Sequence, residues 1–245
     1  MKIGKLTIVG IGPNHWENMT FSAHHAIEHV DVVVGYDRYL ERIKETLKNK
    51  NISTISTGMR QETERVQKAV ELVKDGYQVA LLSSGDAGVY GMASLAIELA
   101  DDLELQIIPG ITAAISAASI LGAPITLDFA VLSLSDLLVP WEKIFKRATC
   151  FAKSGVTTCF YNPVSTKRTW QFPAVLEVFK KERGDFIIGV VQYAFMENQK
   201  SWYFRLSEAP DHWVESLNMM SIVFFCDQDT VEKNGRIYVP RGYKV

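Results

Sequence analysis

Short apolar runs alternate with stretches of helical period through the first half of the chain. Leu6 to Gly10, Val30 to Gly35, Ile52 to Ile55, Val79 to Ser83 and Leu105 to Ile108 read as buried strands. The clearest helix covers about Gln61 to Lys74. Val66, Ala69, Val70 and Val73 share one of its faces, Glu62, Glu64, Lys68 and Lys74 face water, and Asp75-Gly76 ends it. Ile111 to Leu121 is small and apolar all round, which predicts a helix packed tightly at the centre. Strands alternating with helices predict a parallel sheet.

The alternation breaks at Gly122-Ala123-Pro124-Ile125-Thr126. Beyond it, strand candidates at Phe129 to Leu134, Thr157 to Tyr161, Phe186 to Val191, Trp202 to Leu206, Met220 to Phe225 and Arg236 to Val239 mix with helices near Trp141 to Ala152 and Trp170 to Lys181. The pattern predicts an α/β protein of two α/β domains. Residues 1–122 carry a mostly parallel sheet and residues 127–245 a mixed one.

Three of the first-half strands end in glycine: Gly10-Ile11-Gly12-Pro13-Asn14, Ser83-Ser84-Gly85-Asp86-Ala87-Gly88-Val89-Tyr90-Gly91, and Pro109-Gly110-Ile111-Thr112-Ala113. Glycine lets backbone approach a ligand without a Cβ, and in an open α/β sheet ligands sit beyond the carboxyl ends of the strands. One shared site follows, with Asp86 as an acceptor for an amine or hydroxyl. Pro13 removes a backbone donor and no third glycine follows at the spacing that receives a pyrophosphate, so a dinucleotide-dependent oxidoreductase loses its physical basis.

Composition narrows the rest. Hydrophobic residues make up 47% and charged residues 22%, and 26 Lys+Arg stand against 28 Asp+Glu, so no basic field points to nucleic acid as a partner. No apolar stretch is a clean membrane span, and Met1-Lys2-Ile3-Gly4-Lys5 enters a strand without a secretory leader, which places the chain in the cytoplasm. Cys150, Cys159 and Cys226 are widely spaced and odd in number, and read as buried free thiols. His25 and His29 lie one helical turn apart beside His24, but with no third ligand in view they read as a helix face, and no metal site is assigned.

The three glycine loops, in this order and wording, resemble the tetrapyrrole methylase family. Its members transfer methyl groups from S-adenosylmethionine (SAM) to porphyrin-like macrocycles. Gly58-Met59-Arg60, Ser83 to Gly91, Ser133-Leu134-Ser135-Asp136-Leu137-Leu138-Val139-Pro140-Trp141-Glu142 and Pro240-Arg241-Gly242-Tyr243 are similar to the branch that methylates C17 of precorrin-3B or cobalt-factor III and contracts the ring in cobalamin biosynthesis. The resemblance implies two α/β domains with SAM held between them, a corrin-precursor substrate and a homodimer.

By that resemblance Pro13, Gly85, Asp86, Val89, Thr112, Ala113, Tyr161 and Asn162 contact SAM. Asn14, His15, Ser133, Ser135, Asp136, Lys167 and Arg168 face the macrocycle, the two cations binding its carboxylates. Simpler readings stand beside these. The Gly10 to Asn14 loop also serves as a plain turn, Thr112 as a helix cap, Ser133 to Asp136 as the lead-in to a helix at Pro140, and Lys167-Arg168 as an exposed charged turn. No acid/base group for ring contraction is identifiable. Val191-Gln192-Tyr193-Ala194-Phe195 and Val223-Phe224-Phe225-Cys226-Asp227 depart from the more polar SAM-side segments of relatives. Another corrin-pathway methyltransferase, and a non-catalytic SAM- or tetrapyrrole-binding protein, therefore remain alternatives.

Overall fold

The computed structural model describes residues 3–13, 15–47 and 50–244. The chain divides into two compact units, one up to Ala113 and one from Ala114 onward.

In the first unit β1 (Lys5–Gly10), β2 (Val32–Tyr36), β3 (Ser53–Thr57), β4 (Gln78–Ser83) and β5 (Leu105–Ile108) form a five-stranded parallel sheet in the order β3-β2-β4-β1-β5. Side chains alternate across the strands, so each face collects its own apolar set. Leu6, Ile8, Val32, Val34, Val79 and Leu81 meet Val66, Ala69, Val70 and Val73 of α3 (Glu62–Lys74) and Ala93 and Ala96 of α4 (Ala93–Leu99). On the other face Val9, Val33, Ala80 and Leu82 meet Ala23 and Ile27 of α1 (Phe21–Glu28) and Leu40, Ile43 and Leu47 of α2 (Asp37–Leu47). A parallel sheet covered on both faces explains why its strands read as unbroken apolar runs.

The second unit begins in the first turn of α5 (Ala113–Leu121), ahead of the Gly122 to Thr126 break. Within this unit the backbone N–H of Ala114 donates to Tyr161 Oη at 2.7 Å, and Leu121 packs on Gly189. Next come β6 (Gly122–Ala123), β7 (Phe129–Ser133), α6 (Trp141–Ser154), β8 (Thr157–Tyr161), α7 (Gln171–Arg183), β9 (Ile187–Gln192), β10 (Lys200–Arg205), β11 (Ser221–Phe225), β12 (Val231–Lys233) and β13 (Arg236–Tyr238). The main sheet, β10-β9-β11-β8-β7, is mixed: β7 and β8 run parallel and the other pairs antiparallel. Its core is aromatic. Phe160, Phe172, Phe179, Phe186 and Phe225 are fully or almost fully buried, and several of them meet edge to face, the preferred geometry for ring pairs.

Two strands carry no sequence pattern. Gly122-Ala123, read above as the linker, pairs in parallel with Ile237 and Tyr238 of β13, and β12 completes this small sheet. Pairings of two or three residues are too short for a period to show. A second feature hidden in the sequence is Arg183. Its buried guanidinium donates to the carbonyls of Phe151 and Ala152 in the last turn of α6, and to those of Val156 and Cys226. The cation thereby satisfies carbonyls that a helix end leaves without partners. Burial lowers its pKa to about 10, still charged at neutral pH.

The expectation of three buried thiols needs one correction. Cys159 and Cys226 are fully buried, but Cys150 is exposed, because it lies off the Ile144, Ala148, Ala152 stripe by which α6 meets the core. Burial pushes the Cys226 thiol up to about 12 and the Cys159 thiol well above its usual value, so neither forms thiolate at neutral pH. A disulfide reagent at pH 8 is therefore expected to label Cys150 alone in the native protein and all three cysteines after denaturation. Rapid native labelling of Cys159 or Cys226 would contradict the packing.

Candidate functional site

The glycine loops of the first unit meet backbone to backbone. Gly12 and Gly85 exchange hydrogen bonds, N–H to O at 3.0 Å and 2.9 Å, and the Ile11 N–H donates to the Ser83 carbonyl at 2.9 Å. Both Gly12 (φ +69°) and Gly85 (φ +62°) are left-handed, where a side chain would be strained. A Cβ on Gly10 would stand 2.6 Å from the Gly110 nitrogen, and one on Gly110 would collide with the carbonyl oxygens of Gly85 and Gly10. The ends of β1, β4 and β5 are thus locked together through bare main chain.

Asp86 ties the arrangement down. Its Oδ1 accepts from the N–H groups of Gly88 at 2.8 Å and Val89 at 3.1 Å, and its Oδ2 from the N–H of Gly110 at 2.9 Å. The carboxylate folds its own loop and joins it to the next; Oδ1 is filled by its two donors, and Oδ2 keeps lone-pair capacity for a ligand donor. Ser83, also buried, accepts from the Met92 N–H at 3.2 Å and so holds the entry to α4. Pro13, Thr112 and Ala113 are half-buried on the same rim, His15 is exposed, and Asn14 lies outside the described residues. Tyr90, with φ +54° and 56% exposed, projects from the loop.

In the second unit the parallel pair β7 and β8 gathers the other candidates. Ser133 and Tyr161 are register partners at the carboxyl ends of the two strands. Ser133 Oγ accepts from the Ser135 N–H at 3.2 Å and from Asn162 Nδ2 at 3.1 Å. Asn162 is left-handed, φ +50°, a conformation asparagine tolerates better than most residues. Arg168 is only 7% exposed and donates through Nη2 to the Asn162 carbonyl at 2.7 Å. Asp136 stands 3.9 Å from Arg168 Nη1 and accepts from Gln171 Nε2 at 3.1 Å. Burial lowers the Arg168 pKa and the nearby Asp136 charge opposes that shift. Lys167 is exposed. The adjacent cations therefore differ: Arg168 braces its loop from inside, whereas Lys167 is open to an anionic ligand.

The loop beyond Asn162 also borders a cavity of about 710 Å³, lined by Val164, Ser165, Tyr193, Leu217, Asn218 and Met220 among others. Tyr193 is left-handed, φ +53°, and its hydroxyl accepts from Asn218 Nδ2 at 3.2 Å. The divergent segment at Val223 to Cys226 is not a loop. It is the end of β11 and Cys226, all fully buried, and only half-buried Asp227 of the segment reaches beyond the core, so most of its differences from relatives are core packing. The His25 and His29 rings stack at 4.1 Å, His29 Nδ1 bonds the His25 carbonyl at 2.8 Å, and His24 packs edge-on against Trp16 at 4.0 Å.

Sequence reasoning missed Arg65. It is 4% exposed in α3, where Nε donates to Thr57 Oγ1 at 2.6 Å and Nη2 to the Gly58 carbonyl at 2.9 Å. The signal was available, since Arg65 stands four residues before Ala69 and so falls on the apolar stripe.

Two substitutions measure the locked rim by thermal denaturation. Asp86→Ala removes three backbone partners and is expected to cost about 2 kcal/mol, in the range for hydrogen bonds to charged groups. Gly110→Ala forces main chain apart and is expected to cost more. Unchanged melting of both variants would show that the rim does not depend on these contacts.

Comparison with known proteins agrees with this architecture. Residues 5–210 match the model of the Tetrapyrrole (Corrin/Porphyrin) Methylases. The chain is 40% identical over 243 residues to the probable cobalt-factor III C(17)-methyltransferase of Salmonella typhimurium, covering 97% of this chain and 99% of that protein. It is 41% identical over 244 residues to the cobalamin biosynthesis protein CbiHC of Archaeoglobus fulgidus, but spans only about half of it, 53%. The crystal structure of the methyltransferase CobJ superposes with a TM-score of 0.89 at 31% identity, covering 97% of this chain and all of that one. With interlocked glycine loops at the carboxyl ends of a parallel sheet, a mixed-sheet second unit and these matches, the chain belongs to the tetrapyrrole methylase family.

Proposed function

We propose that this chain methylates C17 of cobalt-factor III or precorrin-3B with SAM as donor and contracts the macrocycle, a step of cobalamin biosynthesis. The observation that carries this reading is the end-to-end match, at 40% identity and equal length, to a relative named for that reaction. SAM, when bound, supplies an electrophilic sulfonium methyl, so the protein's task is alignment and exclusion of water. The rim of Gly10, Gly85 and Gly110 suits that task, because main chain packed directly on main chain holds its shape where no side chain could stand. Asp86 fixes the geometry of that rim and offers the spare lone pair of Oδ2 to an amine or hydroxyl.

Pro13, Val89, Thr112 and Ala113 on the first unit, and Tyr161 and Asn162 on the second, are the remaining proposed SAM contacts. The cavity beside Val164 and Tyr193 is of a size and apolar character suited to an adenosine. Ser133, Ser135 and Asp136 face the substrate in this reading, with Asn14, His15 and Lys167, while Arg168 supports the Asn162 turn. The non-catalytic alternative drew on divergence in two segments, and burial of Val223 to Cys226 moves most of one of them into the core. The assembly is proposed to be a cytoplasmic homodimer, its mass checked by light scattering.

Anaerobic incubation with labelled SAM and, in parallel, cobalt-factor III and precorrin-3B is expected to give labelled, ring-contracted product from at least one, read by mass and absorption spectra. SAM binding without label in either product would return the chain to another pathway step or to a binding role. Lys167→Ala is expected to raise the KM for the macrocycle several-fold with kcat nearly unchanged, as for a contact made equally in ground and transition states. Asp86→Ala is expected to weaken SAM binding in calorimetry.

A further inference from the structure

Gly58-Met59-Arg60 belongs to none of the contacts assigned so far, yet its loop leaves the sheet level with those that are. Thr57 of β3 is the register partner of Tyr36 in β2. Val34 of β2 pairs with Leu81 of β4, and Ser83 of β4 with Gly10 of β1, so Thr57, Tyr36, Ser83 and Gly10 form one row across the carboxyl edge. Adjacent strands lie about 4.8 Å apart, which puts the exit of β3 roughly 10 Å along the rim from the exit of β4. A tetrapyrrole carrying carboxylate arms is wide enough to bridge that gap.

The loop is held on both sides. Buried Arg65 donates to Thr57 Oγ1 and to the Gly58 carbonyl, and Gln61 Oε1 accepts the Gly58 N–H at 2.5 Å. Gln61 is itself fixed by Glu64, to which its Nε2 donates at 2.8 Å. Held this way, Arg60 takes φ +64°, left-handed backbone in which glycine is at ease and arginine is not. Its side chain is exposed and makes no hydrogen bond or ion pair among the described residues, although Glu62 and Glu64 stand in the adjoining helical turn. An exposed cation on strained backbone that glycine would fill more comfortably, at the ligand rim and with no hydrogen bond or ion pair among the described residues, is available to a group outside the chain.

We infer that Arg60 is a substrate-binding residue that pairs with a carboxylate arm of the macrocycle, with Arg65 and Gln61 as its positioning residues. The inference rests on the proposed tetrapyrrole substrate and adds a contact at the far edge of the sheet. Arginine suits it, because its planar fork meets a carboxylate with two parallel hydrogen bonds.

The test is absorption titration of wild-type and Arg60→Gly protein with cobalt-factor III under anaerobic conditions, at low and high salt, with SAM affinity and melting temperature measured alongside. Arg60→Gly is expected to weaken macrocycle binding about tenfold and flatten its salt dependence, while SAM affinity stays within about twofold and the melting temperature does not fall. Arg60→Lys is expected to recover part of the affinity. Wild-type binding matched by Arg60→Gly would overturn the role of Arg60 and leave the proposed reaction standing. Wild-type protein that binds no macrocycle would overturn both.

Discussion

The close contact of Gly10, Gly85 and Gly110 is the constraint on which the first unit's rim depends. Three loops from three strands converge where no side chain fits, and reciprocal hydrogen bonds between Gly12 and Gly85 close the junction. Main chain held against main chain has little freedom to rearrange, so the surface offered to a ligand is set by the sheet rather than by rotamers. Asp86 completes this by spending its charge on backbone donors. The sheet order β3-β2-β4-β1-β5 places the three interlocked ends side by side, where Gly58 to Arg60 at the edge extends the same rim.

Buried arginines do the same work in both units. Arg183 and Arg168 are buried in the second and act on carbonyl oxygens, one closing the end of α6 and the other holding the left-handed turn at Asn162. Arg65 does comparable work in the first, on Gly58. Each replaces what a longer secondary structure or a bound water would otherwise supply. A near-neutral chain can therefore carry several cations deep in its structure without generating a long-range field.

Much of this was legible in the sequence, and the reason is periodicity. The parallel strands are apolar throughout because both faces are covered, and α3 shows its buried stripe residue by residue. The glycine-ended strands announced a rim, and the family resemblance rested on them. Three kinds of fact were not legible. Pairings as short as Gly122-Ala123 with β13 leave no pattern. Arginines that cap or brace look like ordinary surface charges until their carbonyl partners are placed, and Arg168 beside Lys167 shows how neighbours with equal charge take opposite environments. The partners of Asp86 are backbone groups of Gly88, Val89 and Gly110, which any residue but proline would supply, so no side-chain pattern records them.

The pairing of β6 with β13 bears on how the chain acquires its structure during synthesis. Every strand of the first sheet is complete by Ile108, so that unit can close while the remainder is still being made. The second unit has no such early completion. Gly122 and Ala123 wait for Ile237 and Tyr238, almost the whole unit later, and Ile237 packs beside Leu121 over Gly189. Until that strand arrives, α5 lacks one of its walls, so the two halves mature on different schedules. The seam between those schedules lies at α5, directly after the Pro109 to Ala113 turn.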